Sequence, residues 1–246
     1  MNNILIKVEN LVKTFGGLVA LNDCSLEIKD KAITGIIGPN GSGKTTLFNV
    51  ITGNLKPDTG KVFYNGVEIT NEESHDLFHL GVLRTFQIAH EFSNMTVIEN
   101  LMVVPGNQKG ERLLYSLMNS QKIKKEDELI KDKAMEVLKF LKIEHLKNER
   151  AGNLSGGQKK LLELARTMMV DAKIVFLDEV GAGVNKTLLR DISDSILKLN
   201  QDKGYTFCMI EHDFNFISEL CDPVIVLAEG SVLFTGSAED LSLIHI

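Results

Sequence analysis

Apolar residues recur at two spacings near the start of the chain, and each spacing predicts a different kind of strand. Ile4, Ile6 and Val8 alternate with other residues, which is typical of a strand with one buried face. The segment 33–37 is almost continuously apolar, as expected for a parallel strand buried on both faces. These patterns predict that the fold opens with strands.

Turn sequences join some of the short apolar runs into hairpins. Residues 57–60 and Asn65-Gly66 are turn signals on either side of the apolar segment 62–64, which predicts a hairpin and a small antiparallel layer. The Glu229-Gly230 turn separates the last two apolar runs and predicts a second, terminal hairpin.

The middle of the chain has a helical pattern instead. From about residue 96 to residue 167 the apolar positions follow helical spacing, which predicts a helical subdomain over 96–167. The remaining residues, 1–95 and 168–246, are expected to form the core and the antiparallel layer of a single domain over 1–246. Within the helical part, the charged stretch 122–133 favours a solvated helix face over a specific docking surface.

Strand and helix patterns alternate again after the helical part. Apolar strands are predicted at 174–177 and 206–210, with a helix between them at about 186–201. Because this alternation is typical of parallel sheets with helical connections, the predicted fold class is α/β with a mainly parallel sheet.

The composition narrows the class of protein. At 246 residues, 43% hydrophobic and 24% charged, the chain is large enough to bury a core. No apolar stretch reaches the roughly 20 residues that a membrane helix needs, and no signal-peptide pattern opens the sequence, so we expect a soluble, unexported protein. The net charge of −6 disfavours nucleic acid as a partner. Cys24, Cys208 and Cys221 lack paired spacing, which favours reduced thiols and the cytoplasm.

The sequence Gly-Pro-Asn-Gly-Ser-Gly-Lys-Thr at 38–45 follows a predicted strand and precedes a helical run. Its glycines let the backbone present N–H groups to phosphates, and the helix N-terminus adds positive charge. Lys44 is expected to reach the β- and γ-phosphates, and Thr45 to offer its hydroxyl to Mg²⁺. The strand and helix context favours this nucleotide site over a plain helix-capping turn. The residues predicted to contact ATP are Gly38, Pro39, Asn40, Gly41, Ser42, Gly43, Lys44, Thr45 and Thr46.

A second glycine motif, Leu-Ser-Gly-Gly-Gln at 154–158, precedes the helical run 159–166. Ser155 and the two glycines are expected to cap the helix N-terminus and to form another anion site. Taken alone, the motif leaves an ordinary helix cap as the alternative, but its combination with the phosphate loop narrows the enzyme class.

With the strand and acids at 174–179, these motifs resemble the Walker A, signature and Walker B motifs of an ABC-type ATPase cassette over nearly the whole chain. The resemblance implies a P-loop NTPase core of RecA-like type, with an antiparallel β layer and the helical subdomain as an insertion. In this family two cassettes face each other head to tail, so the signature helix of one covers the ATP of the other. The residues implied in that contact are Ser155, Gly156, Gly157 and Gln158.

Further site residues follow from this resemblance. Asp178 ends an apolar strand, where its carboxylate is expected to hold the Mg²⁺ shell, and Glu179 is expected to accept a proton from the attacking water. An exposed acidic pair is the alternative. Gln87 resembles the glutamine that contacts Mg²⁺ and water, and His212 the histidine that contacts the γ-phosphate and positions the water. Phe15 resembles the aromatic that stacks on adenine, with a core anchor as the alternative.

Some positions depart from the family pattern. Val180 stands where proline is usual, so the catalytic turn lacks a fixed φ, which puts turnover in doubt more than binding. Asn185 stands where aspartate is usual and keeps hydrogen bonding without the charge. This asparagine, with 84–87 and 210–213, is similar to the ATPases of branched-chain amino-acid importers. Residues 241–246 stop where the family usually continues into helix, which suggests a shortened or foreign end.

The leading hypothesis is an ATPase subunit that uses ATP and Mg²⁺ to power a membrane importer for branched-chain amino acids or a similar small polar solute. The resemblance implies a second cassette, either the same chain or a paralogue, permease subunits and, indirectly, a solute-binding protein. It places the chain on the cytoplasmic face of the cell membrane. Phe92, Met95 and Val97 are candidates for a groove that receives a permease helix, with plain core as the alternative.

Three other functions stay open from the sequence. An ATPase of a lipid or lipopolysaccharide exporter has a similar cassette, and the phosphate-site motifs do not separate it from an importer. A non-transport ABC ATPase of translation or DNA repair is disfavoured by the single phosphate loop and the acidic balance. A clamp that binds ATP without hydrolysis is disfavoured by Glu179 and His212.

Overall fold

The computed structural model describes residues 3–85, 91–106, 108 and 120–243. The chain forms two compact units. The first unit comprises Met1–Gln87, Ala172–Ala182 and Ile196–Ile246, and the second comprises Ile88–Asp171 and Gly183–Ser195. None of the helices within the described residues combines the length and apolar character required to cross a bilayer.

The described strands all belong to the first unit. They are β1 Ile4–Phe15, β2 Leu18–Lys29, β3 Ile33–Ile37, β4 Thr59–Tyr64, β5 Val67–Glu68, β6 Val82–Arg84, β7 Ile174–Asp178, β8 Thr206–Ile210, β9 Val224–Ala228 and β10 Ser231–Gly236. The described helices are α1 Lys44–Ile51, α2 Ser74–His79, α3 Val97–Met102, α4 Ser120–Phe140, α5 Gly156–Met168, α6 Lys186–Lys203, α7 Phe214–Leu220 and α8 Ala238–Leu243, with short 3₁₀ helices at Glu144–Leu146 and Ala151–Asn153.

Six strands form a mainly parallel sheet in the order β10-β9-β3-β8-β7-β6. Five of them run parallel, and only β10 pairs antiparallel, with β9. Every residue of β7 and of β8 is buried, which explains why both segments are apolar without alternation. The predicted α/β class and the predicted terminal hairpin are both confirmed.

Four strands form an antiparallel sheet in the order β2-β1-β4-β5. The predicted hairpin at Asn65-Gly66 joins β4 to β5, and both turn residues have positive φ, 48° and 77°, as a type I′ turn requires. Register shifts interrupt the pairing of β1 with β2. These irregularities explain why the clear alternation seen at Ile4, Ile6 and Val8 does not extend along all twelve residues of β1.

Helix α1 is held on the parallel sheet by its apolar side. The Phe48 ring packs edge to face on the Phe176 ring of β7, with 4.9 Å between the centroids. Both rings are fully buried, and burial of a side chain of this size stabilises a fold by about 2–3 kcal/mol. This packing fixes the start of α1, and with it the loop that precedes the helix.

Helices α3, α4 and α5 pack against one another in the second unit. On α4, Ala134, Val137 and Leu138 are buried, whereas the charged residues of 122–133 are mostly exposed. These charged residues therefore lie on an exposed face of α4, and the preference for a solvated face over a docking surface stays a prediction. The fully buried Asn100 side chain accepts the backbone N–H of Phe92 at 2.8 Å and donates to its carbonyl oxygen at 3.1 Å, which ties the preceding loop to α3.

Candidate functional site

The loop between β3 and α1 lies against neighbouring backbone, and glycine makes that approach possible. A Cβ atom on Gly38 would lie 2.0 Å from the carbonyl oxygen of Leu227, and one on Gly43 would lie 2.3 Å from that of Ala20. Gly43 also has a φ of 100°, which other residues rarely adopt. The opposite side of the loop is open, since a Cβ on Gly41 would meet nothing within 4 Å.

Lys44 is the first residue of α1, and its buried side chain places an ammonium group at this loop. Its Nζ donates to the carbonyl oxygens of Gly38 at 2.8 Å and Pro39 at 2.9 Å. Burial lowers the pKa of Lys44, and the negative charges of Glu179 and Asp178 oppose that effect. The lysine therefore occupies a position between the loop and the acidic residues, as a phosphate-binding cation should.

Two hydroxyl groups near the loop suit a nucleotide and its metal. The Ser42 Oγ is buried and has no hydrogen-bond partner among the described residues, so an anion at the loop would supply one. Thr45 is exposed in the first turn of α1. Its hydroxyl and the Asp178 carboxylate are hard oxygen donors, the ligand type that Mg²⁺ prefers when phosphates complete its shell. The residues present therefore fit a Mg²⁺ nucleotide.

Three adjacent parallel strands end at one edge of the sheet. Ile36 of β3 pairs with Ile210 of β8, and Ile210 pairs with Asp178 of β7. The segments that follow these strands therefore begin side by side, at the edge where ligands bind in parallel α/β sheets. They carry the phosphate loop, His212 and Glu179.

Glu179 and His212 are in direct contact. The Nε2 atom of His212 lies 3.1 Å from Oε1 of Glu179, and both side chains are partly exposed. Glu179 has a φ of 49°, and its N–H donates to the carbonyl oxygen of Ile210 at 3.0 Å. A carboxylate next to an imidazole, at the open end of two strands, is chemically able to accept a proton from water while the imidazole orients it.

Asp178 is buried and paired, so the alternative of an exposed acidic pair is wrong for this residue. Its Oδ2 accepts the Nη2 of Arg84 at 2.8 Å, and Nη1 of the same guanidinium donates to Asn49. The guanidinium also lies 5.8 Å from the centroid of the Phe48 ring. Sequence reasoning did not assign Arg84 a contact; its place at the start of the segment 84–87 was the signal available.

Glu211 is a second residue that sequence reasoning missed. Its side chain is buried, and Oε1 accepts the N–H of Gly181 at 2.7 Å. Burial raises the pKa of Glu211, hydrogen bonds from the N–H groups of Gly181, His212 and Val180 oppose that effect, and the charge of Glu179 adds to it. The signal available in the sequence was an acid placed between a buried strand and His212.

Phe15 is about half exposed at the end of β1, so the core-anchor alternative is wrong and the ring is accessible to adenine. The segment before it is held by Asp58, which accepts Nζ of Lys13 at 2.8 Å and both N–H and Oγ1 of Thr14 at 2.7 Å. These bonds, the one from Lys13 above all, lower the pKa of Asp58 to about 2. The Lys13 ammonium also lies 5.7 Å from the Phe15 ring centroid.

The signature motif begins a helix, as predicted. Ser155 is the N-cap of α5, where its Oγ accepts the N–H of Gln158 at 3.4 Å and its own N–H donates to Gln158 Oε1 at 2.9 Å. This reciprocal pair is a capping box. A Cβ on Gly157 would lie 2.1 Å from Cδ2 of Leu188, so this glycine allows α5 to pack closely within the second unit.

The remaining candidates have different outcomes. Phe92 and Met95 are exposed, but Val97 is fully buried, so the plain-core alternative is confirmed for Val97. The Arg166 guanidinium lies 5.6 Å from the Phe92 ring centroid. Asn185 accepts the N–H of Leu188 at 2.9 Å and keeps the hydrogen-bonding role expected of it. Gln87 lies outside the described residues.

Known proteins similar to this chain give a consistent picture. A family model described as ABC transporter matches residues 21–182. The probable branched-chain amino acid transport ATP-binding protein LivG of Archaeoglobus fulgidus is 44% identical over 237 residues, 96% of this chain and 91% of the relative.

Two solved structures are also similar. The ADP conformation of MJ1267, an ATP-binding cassette of an ABC transporter, has a TM-score of 0.83 and 40% identity, covering 98% of this chain and 94% of that one. A dimeric post-hydrolysis state of the ATP-binding cassette MJ0796, bound to ADP and Pi, has a TM-score of 0.78 and 25% identity, covering 95% of this chain and 99% of that one.

Proposed function

Because this chain belongs to the ABC transporter family, as an ATP-binding cassette that hydrolyses ATP, we propose that it powers import of branched-chain amino acids or a similar small polar solute. The relative from Archaeoglobus fulgidus is named for branched-chain amino acid transport. That name supports the importer hypothesis over a lipid exporter, whose cassette has similar phosphate-site motifs.

The main support for the proposed mechanism of ATP hydrolysis is the 3.1 Å contact between Glu179 and His212. This contact lies at the edge of the sheet where β3, β8 and β7 end. In this proposal the loop N–H groups and Lys44 hold the phosphates. The Glu179 carboxylate takes a proton from the attacking water, and His212 keeps that carboxylate in place and contacts the γ-phosphate. A clamp without hydrolysis would need neither residue.

A magnesium ion belongs to the same proposal. Thr45 and Asp178 would hold it, and the predicted role of Gln87 at the metal is retained. When bound, Mg²⁺ neutralises charge that develops on the phosphate oxygens. The Arg84 guanidinium keeps the buried Asp178 carboxylate compensated, because an unpaired buried charge is strongly unfavourable.

We propose that the nucleotide site is completed by a second cassette, and this proposal sets the partners of the chain. Ser155, Gly156, Gly157 and Gln158 are proposed to cover the ATP of a second cassette, either another copy or a paralogue. The dimeric structure of MJ0796 with ADP and Pi supports the pairing of two cassettes. Permease subunits, with the exposed Phe92 and Met95 as contacts, would hold the chain at the cytoplasmic face of the membrane, and a solute-binding protein would deliver the solute. Purification of the intact complex would identify these subunits and the solute.

The substitution Glu179→Gln tests the catalytic assignment. We expect kcat for ATP hydrolysis to fall by about 10²–10⁴-fold, because the carboxamide cannot take the proton. Binding of Mg·ATP should be retained, and the variant should accumulate as an ATP-bound dimer in light scattering. Glu229→Gln is the matched control, since Glu229 is exposed and has the same φ of 49° in the β9–β10 turn. Wild-type turnover in Glu179→Gln would remove Glu179 from this role.

A further inference from the structure

The turn that carries Glu179 is held by hydrogen bonds rather than by a rigid residue. Glu179 has a φ of 49°, a left-handed conformation that a residue with a Cβ adopts only when its surroundings enforce it. The next residue is Val180, which lacks the ring that fixes φ in proline. The conformation of this turn must therefore be set from outside.

Two backbone bonds supply part of that restraint. The N–H of Glu179 donates to the carbonyl oxygen of Ile210 at 3.0 Å, which continues the pairing of β7 with β8 by one step. The N–H of Ala182 donates to the carbonyl oxygen of Glu179 at 3.3 Å and closes the turn. Neither bond restrains the Val180–Gly181 peptide, which lies between Glu179 and Ala182.

That peptide is held by the side chain of Glu211. Its Oε1 accepts the N–H of Gly181 at 2.7 Å, a shorter distance than in either of those backbone bonds. Because Glu211 is only 4% exposed, water does not compete for this bond. The next residue in the chain is His212, which contacts the Glu179 carboxylate. One short segment thus reaches both the backbone and the side chain of the catalytic turn.

We propose that Glu211 is a positioning residue, whose buried oxygen fixes the turn at 179–181 so that the Glu179 carboxylate stays against His212 and the attacking water. The inference rests on the proposed role of Glu179 as the base. An oxygen acceptor is what the Gly181 N–H requires, so the acceptor matters more than the negative charge. Loss of the acceptor should misplace the carboxylate without altering the phosphate loop.

The test compares Glu211→Met, which keeps the length and removes the acceptor, with Glu211→Gln, which keeps an oxygen. For Glu211→Met in the full chain we expect kcat to fall about 10–100-fold, because small misplacements of a catalytic group are costly. The Kd for Mg·ATP should stay within about twofold, as expected when only transition-state contacts are lost. Glu211→Gln should restore kcat to within about threefold of wild type.

Thr206→Val is the matched control for loss of a buried hydrogen bond. Thr206 starts the same strand β8 at its far end, where its Oγ1 accepts the N–H of Lys31 at 2.8 Å. This variant should lose stability but keep kcat. If Glu211→Met does not fold, Glu211→Asp replaces it, since the shorter side chain withdraws the acceptor and should also lower kcat at unchanged Kd.

A double variant separates failure of this inference from failure of the catalytic assignment. If Glu211 acts through Glu179, adding Glu211→Met to Glu179→Gln should lower kcat by no more than about twofold. Independent, multiplying losses would overturn the inference, as would a parallel loss of Mg·ATP affinity, or a Glu211→Gln variant as slow as Glu211→Met. Unchanged turnover in Glu179→Gln alone would instead remove the proposed base.

Discussion

At several positions of this protein the backbone conformation decides which residue fits. Gly38 and Gly43 bring the phosphate loop against carbonyl oxygens of adjoining segments, at distances that no Cβ tolerates. Glu179 takes a left-handed conformation although it is not glycine. In the proposed site the backbone N–H groups of this loop hold the phosphates, and a side chain at Gly38 or Gly43 would displace them.

Gly43→Ala should destabilise the nucleotide-free protein more than Gly41→Ala does. Both positions have positive φ, 100° and 79°, so each alanine carries backbone strain of about 1–2 kcal/mol. Only the Cβ at residue 43 would also meet backbone, at 2.3 Å from the Ala20 oxygen. Urea unfolding measures both, and we expect a further loss of about 1–3 kcal/mol for Gly43→Ala. Equal losses would show that this close approach does not constrain the loop.

Elements in this protein begin and end where the site requires defined geometry. The parallel strands present their carboxyl ends at one edge, and helix α1 starts directly at Lys44. In the second unit, α3 and α5 both begin with capping boxes, at Thr96 and at Ser155. Capping satisfies backbone N–H groups that a helix start otherwise leaves without partners.

Thr96→Ala should destabilise the fold by about 1 kcal/mol in urea unfolding and leave ATP hydrolysis unchanged. Thr96 Oγ1 accepts the N–H of Glu99 at 3.3 Å, and Glu99 Oε2 accepts the N–H of Thr96 at 2.7 Å. Thr96→Ser is the control, because it keeps the hydroxyl and should lose little. An equal loss in both variants would assign the effect to the threonine methyl.

The same box has a defined pH dependence. The hydrogen bond from the Thr96 N–H is the main cause that lowers the pKa of Glu99. A depressed carboxylate pKa contributes stability above the pKa of the unfolded chain and loses it as the pH falls through the folded value. Thr96→Ala keeps the backbone N–H but loses the second cause, the bond that Thr96 Oγ1 donates to Glu99 Oε2 at 2.8 Å. The difference in unfolding free energy between Thr96→Ala and wild type should therefore shrink in acid.

At the scale of the whole molecule, the fold buries all three cysteine side chains. Cys24, Cys208 and Cys221 are all buried and unpaired, which confirms the prediction of free thiols. Burial raises the pKa of Cys24 to about 12, and it raises the pKa values of the other two thiols as well. Since the thiolate is the reactive form, none of the three should react in the native state.

Ellman's reagent at pH 8 should therefore modify the native protein only as fast as it unfolds, and should modify all three thiols in guanidinium chloride. Leu129→Cys is the positive control, because Leu129 is 71% exposed on α4 and a cysteine there should react at once. A fast-reacting thiol in the native wild-type protein would contradict the burial described above.

Local patterns in the sequence were sufficient for much of this fold. The two hairpins, the apolar strands around 174 and 206, the phosphate loop between a strand and a helix, and the cap at Ser155 are all confirmed. Each depends on residues within a few positions of one another, through periodicity, turn chemistry or capping. The chemical roles of the site residues and the subdomain boundaries stay predictions.

Contacts between distant residues were beyond those patterns. Arg84 meets Asp178 across 94 residues, and Glu211 meets Gly181 across 30, because β6, β7 and β8 happen to be neighbours in the sheet. Strand order and register depend on packing of the complete core, so no short segment specifies them. The sequence therefore predicted which groups bind and hydrolyse ATP, whereas long-range packing selected the partners that hold those groups in place.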